Sequence, residues 1–187
     1  MGIYKDVIGT LVRVLAADNI DNSTKQSWQK LIDAELRQGG TGSSLSVRDK
    51  FDYDCCLYAL LHRQLEPAQW DVLIAKYSTH KANKVAAIGR LVARTVSPAP
   101  QLFVYKALTA WAIPKLKGVQ TGKRSTDMTV LPAEFYDMNT WDMEGKPEST
   151  RRRWKTGIAK RLESLEEAAV IHATEIFDRE EIFIDAA

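Results

Sequence analysis

The sequence predicts a mainly α-helical protein: a helical bundle with an inserted helical segment and a C-terminal helix-turn-helix that leads into a long helix. Three observations carry this. Apolar residues recur at spacings of three and four along most of the 187 residues. Cap and breaker residues punctuate those runs at Asn22-Ser23-Thr24, Ser97-Pro98-Ala99-Pro100 and Lys146-Pro147-Glu148. No sustained β alternation, internal repeat or low-complexity tract interrupts them.

Taken in order, Ile3, Val7, Leu11, Val14 and Leu15 mark a first amphipathic helix. A second, capped by Asn22-Ser23-Thr24, carries Trp28, Leu31, Ile32 and Leu36 and ends in a flexible glycine-serine loop at residues 39–44. Residues 54–64 are strongly apolar, with Leu57, Leu60 and Leu61 as their stripe. Leu65-Glu66-Pro67 opens a helix whose buried face is Trp70, Leu73, Ile74 and Tyr77. Another helix follows from about His80 to Thr95. The next carries Phe103, Leu108 and Trp111 and stops before Pro114, and residues 118–129 read as an exposed loop. Leu131-Pro132 begins a short helix through Phe135, Tyr136 and Met138. A turn containing Gly145 follows, then a long helix from Lys146-Pro147-Glu148 to about Phe177. Ile182-Phe183-Ile184 reads as a short strand or docking segment in an acidic tail. The expected division is an N-terminal helical region, 1–64, and a DNA-binding region, 65–187, with a helical insertion at about 78–130.

Composition bounds the function. With 45% hydrophobic and 27% charged residues, the composition argues against wholesale disorder. No apolar run approaches the roughly 18 to 20 residues of a membrane span. The start, Met1-Gly2-Ile3-Tyr4-Lys5-Asp6, lacks the layout of a secretory signal, and Asp6 stands where a myristoylation motif wants Ser or Thr. A cytoplasmic protein without a membrane partner is expected. Cys55 and Cys56 are adjacent, poorly placed to bond each other, and read as two small buried core residues. No further cysteine is available for a zinc site. His62, His80 and His172 show no metal-ligand spacing: His62 reads as a boundary residue, His80 as a helix cap or phosphate contact, His172 as packing in the long helix. Neither a nucleophile elbow, nor a P-loop, nor a dinucleotide fingerprint is present. Asp52 and Asp54 could hold magnesium in a nuclease, but acids at a helix start explain them better. No cofactor, metal or catalytic residue is therefore expected.

The net charge of +2 hides a strong local bias. Residues 72–126 contain no acid but ten bases: Lys76, Lys81, Lys84, Arg90, Arg94, Lys106, Lys115, Lys117, Lys123 and Arg124. A second cluster, Lys146, Arg151, Arg152, Arg153, Lys155, Lys160 and Arg161, has only Glu148 against it. Such clusters suit a phosphate-binding surface; they also suit internal neutralisation by the acids crowding the last quarter of the chain. On a helical wheel, Trp154, Ile158, Leu162 and Leu165 share one face, with Trp154 expected to pack on Phe135 and Tyr136. Ser149, Arg152, Arg153 and Thr156 share the opposite face, from which side chains could reach base edges. Arg151, Lys155 and Lys160 flank it and suit phosphates. Double-stranded DNA is the expected partner.

Two blocks resemble phage late-gene antitermination proteins of the Q type. One is Leu65-Glu66-Pro67-Ala68-Gln69-Trp70-Asp71-Val72-Leu73-Ile74-Ala75-Lys76-Tyr77, similar to the helix opening a sigma-region-4-like module; the other is Gly145-Lys146-Pro147-Glu148-Ser149-Thr150-Arg151-Arg152-Arg153-Trp154, similar to the start of its recognition helix. With their neighbours they cover about a third of the chain. Residues 78–130 separate them here, and the cysteine-rich zinc motif of one branch is missing. The resemblance implies binding to DNA near a late promoter, loading onto paused host RNA polymerase and suppression of termination. It places DNA recognition on Ser149, Arg151, Arg152, Arg153 and Lys155. The alternative is a phage-encoded protein that binds and modulates a host protein machine without catalysis.

Overall fold

Six α-helices and two short 3-10 helices, with no strand, make up the residues described by the computed structural model, 6–22, 47–115 and 131–182. The chain is mainly α, as the periodicity predicts. The expected second helix with its glycine loop, the loop at 118–129 and Phe183-Ile184 lie outside the described residues. The chain divides into two compact units: one holds residues up to Glu66 and those from Val170 onward, the other Pro67–Ala169.

In the first unit, helix α1 (Val7–Asn22) packs on α2 (Val47–Gln64). Leu11, Val14 and Leu15 are wholly buried at the predicted spacing. The Asp6 carboxylate accepts from the Gly9 N–H at 2.6 Å, satisfying a donor that the first turn leaves open. Arg13 Nε reaches both oxygens of buried Asp54, at 3.0 and 2.9 Å, tying the two helices together.

Helix α2 begins earlier than the apolar run suggests, and this corrects two expectations. Asp52 and Asp54 lie in its body, past the first turn, so they do not complement its start. Two residues apart on a helix, they project roughly 200° from each other, which is unsuitable for sharing a cation. Cys55 and Cys56 are exposed rather than core residues. The buried stripe is Asp54, Leu57 and Leu61, and the cysteines rotate off it.

In the second unit, α3 (Pro67–Tyr77) is the central helix. It packs on α4 (Lys81–Arg94) and α5 (Gln101–Ala112), and every residue from Trp70 through Ala75 is buried, Asp71 included. Asp71 is held by two arginines of α4: Arg90 at 2.7 Å and Arg94 at 2.8 Å. Ser78, Thr79 and His80 form the α3–α4 link. Ser78 Oγ accepts from the His80 N–H, and His80 Nδ1 accepts from the Asn83 N–H, so His80 caps α4. Ser97 to Pro100 breaks the chain before α5, which ends at Ala112 with Ile113 as its cap, kept out of the helical conformation by the following Pro114.

Lys84 closes the α3–α4 hairpin. Its Nζ donates to the carbonyls of Ala75 and Lys76, at 2.8 and 3.1 Å, at the end of α3 where carbonyls lack helical partners. Burial, then the neighbouring Lys76 charge, pushes its ammonium from 10.5 down to about 8. The unfolded chain therefore binds more protons between about pH 8 and 10.5, and the stability contributed at this site rises with pH across that window. Urea midpoints should climb there for the wild type relative to Lys84→Gln. Parallel profiles for the two proteins would refute the assignment.

Candidate nucleic-acid interface

The second cationic cluster opens α6 (Glu148–Arg179), the longest helix. The expected short helix before it is instead two 3-10 turns, Ala133–Tyr136 and Met138–Thr140. Asp137 separates them: its carboxylate accepts from the Asn139 N–H at 2.9 Å, and such local bonding competes with helix continuation.

Between these turns and α6 lies a tight bend. The buried Asp142 carboxylate accepts from the backbone N–H of Glu144 at 3.0 Å and of Lys146 at 2.7 Å. Gly145 sits at φ +66°, a conformation other residues adopt at a cost. Side chain and glycine together fix the direction in which α6 departs.

Aromatic packing seats the helix. Phe103 of α5 meets Trp141 of the bend and Trp154 of α6 edge-on, both at 5.5 Å. The Trp141 indole N–H donates to the Phe135 carbonyl at 2.7 Å, and the Tyr136 hydroxyl donates to the Ile113 carbonyl at 2.7 Å. Trp154 was expected against Phe135 and Tyr136. Its ring partner is Phe103, and the Phe135 and Tyr136 rings meet each other. Further along, Glu166 accepts from the Tyr77 hydroxyl at 2.5 Å and lies 3.8 Å from Lys76 Nζ, linking α6 to α3.

The two cationic segments have different fates. In the first, Arg90 and Arg94 serve Asp71, Lys84 serves the end of α3, and Lys106 donates to the Thr140 carbonyl at 3.0 Å. Lys76 pairs with Glu166 and lies 4.3 Å from the centre of the Trp111 ring. Carboxylates thus pair with three of these five, Lys76, Arg90 and Arg94, while backbone carbonyls hold Lys84 and Lys106; Lys81 and Lys115 are exposed. Lys117, Lys123 and Arg124 lie outside the described residues.

In the second segment, Ser149, Arg152, Arg153, Lys155, Thr156, Lys160 and Arg161 are all exposed. Arg151 differs: it is half-buried on the inner side, and its Nε has no hydrogen-bond partner among the described residues. Arg152 pairs with Glu148 one turn back at 2.6 Å, and Lys155 Nζ sits 5.2 Å from the Trp141 ring centre. Arg152, Lys155, Thr156, Lys160 and Glu163 line an open groove of about 530 Å³ with Met138 of the second 3-10 turn.

One residue of this face went unnoticed in the sequence. Gly157 is exposed in the helix interior, and a Cβ built there meets no described atom within 4 Å. A helix-interior glycine costs about 1 kcal/mol relative to alanine. The signal was its spacing, four residues from both Arg153 and Arg161.

Compared with protein-family models, curated proteins and solved structures, the chain matches none. Among the described residues no group of three or more His, Cys, Asp or Glu is placed to hold a metal ion. No helix among them is long and apolar enough to cross a membrane.

Proposed function

We propose that the chain binds double-stranded DNA through the exposed face of α6 and regulates transcription as an antiterminator acting on host RNA polymerase. The observation that supports binding is that Arg152, Arg153, Lys155, Lys160 and Arg161 stand exposed along one stretch of helix, whereas Lys76, Lys84, Arg90, Arg94 and Lys106 of the first segment each have a partner within the fold. Ser149, Arg152, Arg153 and Thr156 would face bases, and Lys155 and Lys160 would contact backbone. The Glu148–Arg152 pair is exposed and one helical turn in span, the type worth only about 0.3–0.5 kcal/mol, so phosphate can displace it. Antitermination rests on the likeness of the Leu65 and Gly145 blocks to Q-type proteins.

Binding to duplex fragments across a salt series tests the reading. Each phosphate contact contributes about 0.9 to the slope of log affinity against log salt. Arg152→Ala with Arg153→Ala should weaken binding at least about tenfold and relax selectivity among fragments. Weak, non-selective binding unchanged in this variant would sink the recognition-helix assignment. A fragment bound selectively would then enter a polymerase read-through assay.

One observation favours a second reading, the gripping of an acidic host protein. Met143 is 90% exposed in the bend beside the cationic face, and methionine is enriched at protein interfaces. Retention of an acidic protein partner without measurable DNA binding would select it.

A further inference from the structure

We infer that Gly157 is the point of closest approach between α6 and its polyanionic partner, a seat for one phosphate of the duplex backbone. The inference rests on the duplex reading above and adds to it a residue that carries no charge or hydrogen-bonding side chain. Three observations combine. Gly157 lies within the helix, where glycine is disfavoured, not at an end where it would serve as a cap. Nothing described lies within 4 Å of a Cβ placed there, so the packing of the described residues does not require the missing side chain. Three of its four neighbours on the helix surface are cationic and exposed: Arg153 four residues before, Lys160 three after and Arg161 four after; the other, Trp154, packs on Phe103.

A missing side chain at this position leaves a notch in the cationic strip. Backbone lies at a helix radius of about 2.3 Å, well inside the side-chain envelope. A phosphate entering the notch comes within reach of guanidinium groups from the turns on both sides, with the Lys160 ammonium beside it. Charge-assisted bonds from Arg to phosphate are short and directional, so the gain from close approach is steep. A methyl group reduces the notch, and a branched side chain fills it.

Gly89 provides the control. It too lies inside an exposed helical surface with nothing described within 4 Å of a built Cβ, but its surface neighbours include Val85, Ala86 and Ala93 rather than a cationic strip. The experiment compares Gly157→Ala, Gly157→Leu, Gly89→Ala, the Arg152→Ala/Arg153→Ala variant and wild type. Each is measured for thermal midpoint and for binding to a fluorescein-labelled duplex of mixed sequence across a salt series. Both alanine variants should raise the midpoint by about 2–4 °C. Gly89→Ala should bind as wild type does. Gly157→Ala should bind more weakly, and Gly157→Leu roughly tenfold more weakly with a salt slope reduced by about one.

Gly157→Ala and Gly157→Leu binding like wild type, with the arginine variant impaired, would overturn this inference and leave the duplex reading standing. An unchanged or lowered midpoint for Gly157→Ala would also overturn it, since the glycine would then serve the fold. Equal loss of binding in Gly89→Ala would do the same. Absence of duplex binding by wild type, or full binding by the arginine variant, would remove the duplex reading itself and this inference with it.

Discussion

Replacing Arg90 and Arg94 together by methionine is expected to destabilise the chain by about 3–5 kcal/mol, far more than Asp71→Leu, although both changes remove the same ion pairs. The reason is asymmetry of burial. The Asp71 side chain is 3% exposed, whereas those of Arg90 and Arg94 are 49% and 45% exposed. Without the arginines, a buried carboxylate loses both charge partners. Without the carboxylate, two half-exposed guanidinium groups turn to water, and leucine of similar size restores apolar contact in the core. Urea unfolding followed by far-UV circular dichroism gives the comparison. Equal losses for the two variants would mean that the arginines contribute chiefly through packing of their stems on the α3–α4 contact.

Phe103→Ala is expected to cost about 3–5 kcal/mol as well, as large-to-small changes at wholly buried aromatic positions do. Its second effect distinguishes it from an ordinary core cavity. Phe103 is the shared ring partner of Trp141 in the bend and Trp154 on α6, so its loss frees the base of the cationic helix from α5. Duplex affinity of the molecules that remain folded should fall, while Leu108→Ala, a wholly buried change on the same helix, should lower stability with little effect on affinity. Tryptophan fluorescence would report the altered surroundings of Trp141 and Trp154. Equal affinities for the two variants at matched folded fraction would show that α6 is oriented without Phe103.

Local signals were readable in the sequence. His80 and Thr95 bound α4 as its caps, and Leu11, Val14 and Leu15 form the buried stripe that their spacing indicates. What eluded the sequence depends on residues far apart in it. The acid-free window begins immediately after Asp71, and its neutralising carboxylates are Asp71 itself and Glu166, the latter 89 residues from Tyr77. A charge count along the chain sees the gap and not the pairing. Cys55 and Cys56 misled because an apolar run records composition, whereas burial on a helix follows angle. Trp154 has an aromatic pair nearer to it in sequence at Phe135 and Tyr136, yet the ring it meets, Phe103 of α5, lies within the insertion expected at 78–130. On α6, the outward placement of Ser149, Arg152, Arg153 and Thr156 follows from the wheel, but the inward turn of Arg151 and the notch at Gly157 do not emerge from a search for charged residues.

The different partners of the two cationic segments separate adhesion from architecture. Ionic strength weakens contacts between exposed charges and a polyanion steeply, but screens a carboxylate enclosed like Asp71, or an ammonium enclosed like Lys84, far less. On the proposed duplex reading, molar salt should therefore release nucleic acid from the α6 face without loosening the α3–α4 hairpin. A chain purified through such a wash would keep its helices intact and its cationic strip bare, ready to be offered one polyanion at a time as the salt is dialysed away.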